Sequence, residues 1–337
     1  MYIVYIVLGV ILGILILCFF FAFTIHRKIF GKRWEPNGIT KYYEASSYEG
    51  LEVLSLEIPT QGGMLRGNIY RYSSCNKGIL VFSHGMWGSH KAYIQEIELL
   101  AREGYQVIGF DYYGTELSDG RNIKGLGNSL KSLDEAISYI QKTYPLEEIS
   151  VFGHSWGGFA ALCIAKYHLD LHKVVAMSPF LSLSRIFHHL LPKLLLPVVP
   201  FLVWIDSFYC GKYSFANAVK ILKQSHVDTL ILHSKDDHMV PYPQSTGYLQ
   251  QKGMKKNVLY DIVDGKKHNP DYTYEALAYT EECSTKGKEI TDKTEKIEYL
   301  KSLDYHKMGE IDLEVFSRIL DFLKNESNYD INKDKGK

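Results

Sequence analysis

Between residues 50 and 325, short apolar runs alternate with longer stretches of helical periodicity, and this alternation constrains the fold more than any other feature. The runs are GILVFSHG (78–85), QVIGFDYYG (106–114), EISVFGHS (148–155), KVVAMSPF (173–180), TLILHSKDD (229–237) and NVLYDIVDG (257–265), most with Gly, Asp, Ser or His at or near their ends. Stretches such as YIQEIELLAREG and NSLKSLDEAISYIQKTY lie between them. A strand that is apolar throughout must be covered on both faces, so the pattern predicts a mostly parallel central sheet with helices on both sides. Ligands in such sheets sit at the carboxyl ends of the strands, where the polar punctuation falls here. LEVLSLEI (51–58) and MLRGNIYRY (64–72), around Gln61-Gly62-Gly63, predict a leading hairpin.

Two segments interrupt the rhythm. Residues 181–226 contain LLPKLLLPVVPFLVWI (190–205), with three prolines and one charge. That run is too short for a membrane span and too Pro-rich for a regular helix, so 181–226 is expected to form a cap or lid after the sixth strand, the alternative being an extra helical layer. Residues 270–309 form a charged insertion, helical in parts, and DLEVFSRILDFLK (312–324) returns to an amphipathic helix. The polar residues 326–337 are expected to be disordered.

The N-terminus is of another kind. Tyr2 to Ile25 runs for 24 residues without a formal charge, roughly 36 Å as a helix against a hydrocarbon core of about 30 Å. It lacks the basic leader and small-residue cleavage site of a removed signal peptide. Residues 1–27 are therefore expected to be a single-pass transmembrane anchor and 28–49 a linker. Arg27, Lys28, Lys32 and Arg33 all follow the span, which by the positive-inside rule places the body in the cytoplasm.

Composition narrows the function. Lys plus Arg and Asp plus Glu number 38 each, which gives no basic face for nucleic acid. The five cysteines are scattered without CxxC spacing, which favours neither a disulfide framework nor a zinc site. His188-His189 has no acidic or thiol partner at ligand spacing, and no metal or organic cofactor is expected.

Chemistry gathers around VFGHSWGGFAA (151–161). In G-x-S-x-G the serine stands on a sharp strand-to-helix turn and its neighbours must be small, which Gly153, Gly157 and Gly158 satisfy. Ser155 then needs a base, itself oriented by a carboxylate, and on such sheets these follow in the order Ser, Asp or Glu, His. Asp236 and Asp237 end one later run and His268 follows the next. The oxyanion formed on attack needs backbone donors; the Met86 amide in SHGMWGSH (83–90) and the Trp156 amide at the helix start are the natural pair. His84 is expected to brace that turn and His154 to bond beneath the serine, while Cys163 reads as core.

Residues 50–325 resemble the α/β-hydrolase superfamily, in particular its serine esterase, lysophospholipase and serine aminopeptidase-like branch. HGMWG is similar to its HGxxG turn, FDYYGTELSDG to its DxRGxGxSxG loop, GHSWGG to its nucleophile elbow, and HSKDDHMVP to its acid strand-end. The resemblance implies the α/β-hydrolase fold and an active triad of Ser155, Asp237 and His268, Asp237 being the acid by its spacing to Pro241. Tyr113 and Glu116 depart from the pattern, standing where the loop usually has Arg and Gly.

The expectation is a membrane-anchored serine hydrolase that cleaves a carboxylic ester, with an acyl or lipid-like substrate such as a monoacylglycerol or lysophospholipid. The alternatives are a serine peptidase of aminopeptidase type and a non-catalytic binding protein on the same fold. No substrate-binding residue and no oligomeric state is legible.

Overall fold

The computed structural model describes residues 1–36 and 44–325; the C-terminal tail and part of the expected linker lie outside these. Eight strands form one sheet: β1 (Glu52–Thr60), β2 (Gly63–Arg71), β3 (Ile79–Ser83), β4 (Gln106–Phe110), β5 (Ile149–His154), β6 (Lys173–Met177), β7 (Asp228–Ser234) and β8 (Val258–Val263). Their order is β1-β2-β4-β3-β5-β6-β7-β8. The hairpin β1–β2 and the β2–β4 pair are antiparallel, and every other pairing is parallel. The expected mostly parallel sheet and leading hairpin are both present.

Strand alternation divides the apolar side chains between two cores. Val81, Val151, Ala176 and Ile231 point to one face, and Leu80, Phe82, Phe152, Val175 and Leu230 to the other. Helices α1 (Tyr2–Phe30), α2 (Ile94–Arg102), α3 (Asn128–Thr143) and α4 (Trp156–Ile164) precede the interrupting segment. That segment, between β6 and β7, holds α5 (Leu183–Leu190), α6 (Val199–Cys210) and α7 (Ala218–Gln224). Then come α8 (Thr246–Lys252), α9 (Tyr274–Glu289), α10 (Lys293–Ser302), α11 (Tyr305–Met308) and α12 (Leu313–Lys324). Residues of α3 and α4 pack on the first face; those of α2 and α12 pack on the second.

The run 190–205 is more regular than its prolines imply. Pro192 precedes a 3₁₀ turn over Lys193–Val198 that contains Pro197, and Pro200 falls in the first turn of α6. A proline there lacks an N–H that would have no helical partner in any case, so the helix forms. Val198, Val199, Leu202 and Ile205 enter the first core.

The N-terminal helix is long and uncharged up to Ile25, a candidate membrane span. It is exposed on every side up to Leu17; beyond that one side is covered, and Ala22, His26 and Phe30 are buried while Phe20 and Phe21 stay exposed. Phe19 meets Phe201 and Trp204 of α6 edge-on or tilted, with ring centroids 6.5 and 5.5 Å apart. His26 stacks on Tyr209 and lies 3.6 Å from Asp206. Just after α1, Arg33 donates to the carbonyls of Ser118 and Gly120, and Trp34 pairs with the loop at Gly114–Glu116. The start of the expected linker is thus held against the body.

Candidate active site

Ser155 ends β5 and opens α4 with φ 55° and ψ −108°, a left-handed conformation strained for a residue with a Cβ. The turn closes because its neighbours are glycines. A Cβ on Gly157 would collide with the Ser83 carbonyl, and one on Gly158 would come within 2.8 Å of the Met177 carbonyl. The Ser155 amide donates to Met177 O at 2.8 Å, stitching the turn to the neighbouring strand.

Asp237 and His268 follow β7 and β8 and meet at the same sheet edge. His268 Nδ1 lies 2.8 Å from Asp237 Oδ2. A carboxylate only accepts, so Nδ1 carries the proton, and Nε2 is the nitrogen that holds the lone pair of the neutral ring. The other oxygen of Asp237 accepts from the Met239 and Val240 amides at 2.8 and 2.9 Å. Burial alone would raise the Asp237 carboxyl, but hydrogen bonds from His233 and His268 hold it well below the usual carboxylate range. Asp236 is engaged differently: Ser234 Oγ donates to it at 2.5 Å and the Lys267 amide at 3.1 Å. No hydrogen bond joins Ser155 to His268 among the described residues, a contact often loose without substrate.

Three residues without a role in the sequence reading buttress this pair. His233 Nε2 faces Asp237 Oδ2 at 3.1 Å and Val240 O at 2.9 Å, both acceptors, while Thr246 Oγ1 stands 2.7 Å from its Nδ1. Ser178, at φ 45°, donates to the His268 carbonyl at 2.9 Å. Tyr93 accepts from the Gly85 amide at 3.0 Å and donates to His154 Nδ1 at 2.8 Å. His154 Nε2 in turn donates to the His268 carbonyl at 2.9 Å. Burial, reinforced by His268, pushes the His154 imidazole down to about 3, so it is neutral. A neutral ring is what one donor and one acceptor nitrogen require.

Met86 and Trp156 lie on the two turns flanking Ser155, and among the described residues neither amide donates to a backbone carbonyl. The Trp156 indole donates to Leu126 O at 2.6 Å and fixes the start of α4. His84 stacks on Tyr112 at 4.0 Å and contacts Gly85 O at 2.7 Å; burial lowers its imidazole to about 4. It braces the turn as a neutral ring. In the departing loop, Glu116 keeps the positive φ (35°) of the glycine it replaces and is tied to Lys91 at 2.8 Å. Tyr113 reaches Glu135 Oε2 at 2.7 Å and Thr60. Cys163 is buried. His188 and His189 bond to Ser184 O and His238 O on the surface. Among the described residues no three His, Cys, Asp or Glu side chains gather as metal ligands.

A family model described as serine aminopeptidase, S33 matches residues 74–205. A proline iminopeptidase of Clostridium botulinum is 36% identical over 87 residues, covering 26% of this chain and 29% of its own. An uncharacterized protein of Escherichia coli is 25% identical over 191 residues, covering 56% of this chain and 62% of its own. The chain thus spans less than two thirds of the length of these relatives. Among solved structures, an esterase from Pyrococcus furiosus superposes with a TM-score of 0.55 at 19% identity, over 77% of this chain and 97% of that one. An acylaminoacyl peptidase from Pyrococcus horikoshii gives 0.54 at 14% identity, over 86% and 44%. At these identities the structural likeness speaks for the fold.

Proposed function

We propose that this chain, which has the α/β-hydrolase fold and matches a serine aminopeptidase family model over residues 74–205, is a membrane-anchored serine hydrolase of carboxylic esters. The observation that carries this reading is the strained Ser155 at one strand end with the Asp237–His268 pair at the two strand ends beyond it. In this reading Ser155 Oγ attacks the ester carbonyl while His268 Nε2 takes its proton, and the oxyanion is held by the Met86 and Trp156 amides. His268 passes that proton to the leaving alkoxide. A water, deprotonated by the same nitrogen, then releases the acid from acyl-Ser155.

A serine peptidase is the second reading, favoured by the family model's description and by the iminopeptidase match. An aminopeptidase needs an anionic group for the substrate's free amine. Here three loop carboxylates already have a cation or donor partner, Asp111 with His90, Glu116 with Lys91 and Asp236 with Ser234, although one oxygen each of Asp111 and Glu116 stays unpaired. That, with the apolar character of residues 190–205, supports an acyl or lipid-like ester. The seating of α1 on α6 supports a retained anchor over a removed signal sequence, since removal would strip a packed helix from the body. The basic residues after α1 support a cytoplasmic body by the positive-inside rule.

A fluorophosphonate probe should label wild type at Ser155 and leave Ser155→Ala unlabelled. A panel of p-nitrophenyl esters and aminoacyl amides then separates the readings: faster turnover of amides than of esters assigns the peptidase.

A further inference from the structure

We infer that the outer face of α6 and its flanking turns is itself seated in the lipid bilayer, so that the segment between β6 and β7 is a second membrane-contacting element beside the anchor. The inference rests on the reading of α1 as a membrane span. From Tyr2 to Leu17 that helix is exposed on every side, which amounts to roughly 24 Å at about 1.5 Å per residue. A hydrocarbon core is about 30 Å thick, and any tilt shortens the span further. The uncovered helix therefore falls short, and the core must extend past Phe19.

Phe19 brings α6 with it. Its ring touches Phe201 and Trp204, and it lies about 12 Å along the helix from Arg27, the first charge. Trp204 is consequently on the lipid side of the basic cluster, at the depth where indoles concentrate. The face it belongs to continues outward. Trp204 and Phe208, one helical turn apart, meet at a tilt with ring centroids 5.1 Å apart and are 49% and 63% exposed, and Leu194 in the preceding turn is 88% exposed. The opposite face of α6 carries Leu202, Ile205 and Asp206, all buried. An exposed apolar stripe of this kind is a liability in water and a stable arrangement when sunk about 5–10 Å into a bilayer. The occupant is therefore lipid, and a lipid-like substrate would enter beside α6 without crossing water.

The test uses the full chain with Cys18 and Cys75 replaced by serine and one spin label at Phe208→Cys, Leu194→Cys or, as a control, Leu146→Cys. Leu146 lies in the turn between α3 and β5, at the end of the sheet opposite the carboxyl ends of the strands, and is almost fully exposed. The protein is reconstituted with phosphatidylcholine–phosphatidylglycerol vesicles and floated. Labels at 208 and 194 should collide with oxygen from the lipid phase and be shielded from a water-soluble nickel chelate, with the label at 146 showing the reverse. Failure to float, with resistance to alkaline extraction also lost, removes the anchor reading and this inference with it. Flotation with labels at 208 and 194 as open to nickel as that at 146 overturns this inference alone. Shielding from both reagents with spin–spin broadening also overturns it, assigning the stripe to a second copy of the chain. As a separate readout, Phe208→Asp should slow hydrolysis of a vesicle-borne monoacyl ester at least tenfold and leave a water-soluble butyrate ester within twofold. Equal loss on both counts against lipid entry beside α6.

Discussion

His154 Nε2 donates to the backbone carbonyl of His268 over 2.9 Å, and that carbonyl also accepts from Ser178 Oγ at 2.9 Å. The imidazole facing Asp237 is thereby held through its own main chain. Each buried hydrogen bond lost costs about 1–3 kcal/mol. His154→Ala should lower kcat roughly tenfold or more with little change in KM, and Ser178→Ala should do so less. His154→Gln, which keeps an N–H donor, should recover part of the rate. Equal KM and kcat effects, or no rescue by Gln, would assign His154 to general stability instead.

The two adjacent carboxylates should separate sharply. Asp237 faces His268 Nδ1, whereas Asp236 is occupied with Ser234 and the Lys267 amide. Asp237→Asn should reduce kcat by something like 10⁴-fold through loss of the correct histidine tautomer. Asp236→Asn should cost far less. Steady-state kinetics on one soluble ester decides it, and the reverse ranking would make Asp236 the acid.

Acid sensitivity has an identifiable contributor at Asp111. Burial would raise this carboxyl, yet His90 at 2.9 Å, with His84 and Ser89, holds it down to about 2 from an ordinary 3.8. A depressed carboxyl contributes stability in full above its unfolded value, and the contribution fades as pH falls through the folded one. Between roughly pH 5 and pH 2, the span that brackets both values, wild type should lose about 2 kcal/mol more than Asp111→Asn, which has no carboxylate to protonate. Equal acid losses in denaturant titrations would detach Asp111 from the transition.

Much of this was legible in the sequence, and what was not has physical reasons. β3 to β8 lie inside the six apolar runs to within a residue, because a doubly covered strand has no polar face to confuse the pattern, and β1 and β2 fall on the expected hairpin to within two residues. The choice of Asp237 over Asp236 needed the spacing to Pro241, since two neighbouring carboxylates at a strand end look alike. Helix α6 was obscured by its prolines, which break helices inside but not in the first turn. His233, Tyr93 and Ser178 belong to no short motif. His233 alone left a trace, four residues before Asp237 in the same strand-end segment. The seating of α1 on α6 was invisible, because an apolar run does not say which of its sides meets lipid and which meets protein.

That seating gives the last prediction. Deleting residues 2–17 removes only exposed helix, whereas deleting 1–27 also strips Phe19, Ala22 and His26 from α6 and uncovers Phe201, Tyr209 and Asp206. Fully burying a Phe contributes about 1.5–3 kcal/mol. Half-buried Phe19 and buried Ala22 together supply a comparable amount, and each kcal/mol is worth roughly 2–4 °C in a domain of this size. In detergent, the shorter deletion should melt with the full chain. The longer one should melt about 5–10 °C lower and aggregate. Thermal denaturation of the three proteins, followed by circular dichroism, makes the comparison. Identical melting of all three would mean that the body does not depend on α1, and that the anchor is only a tether.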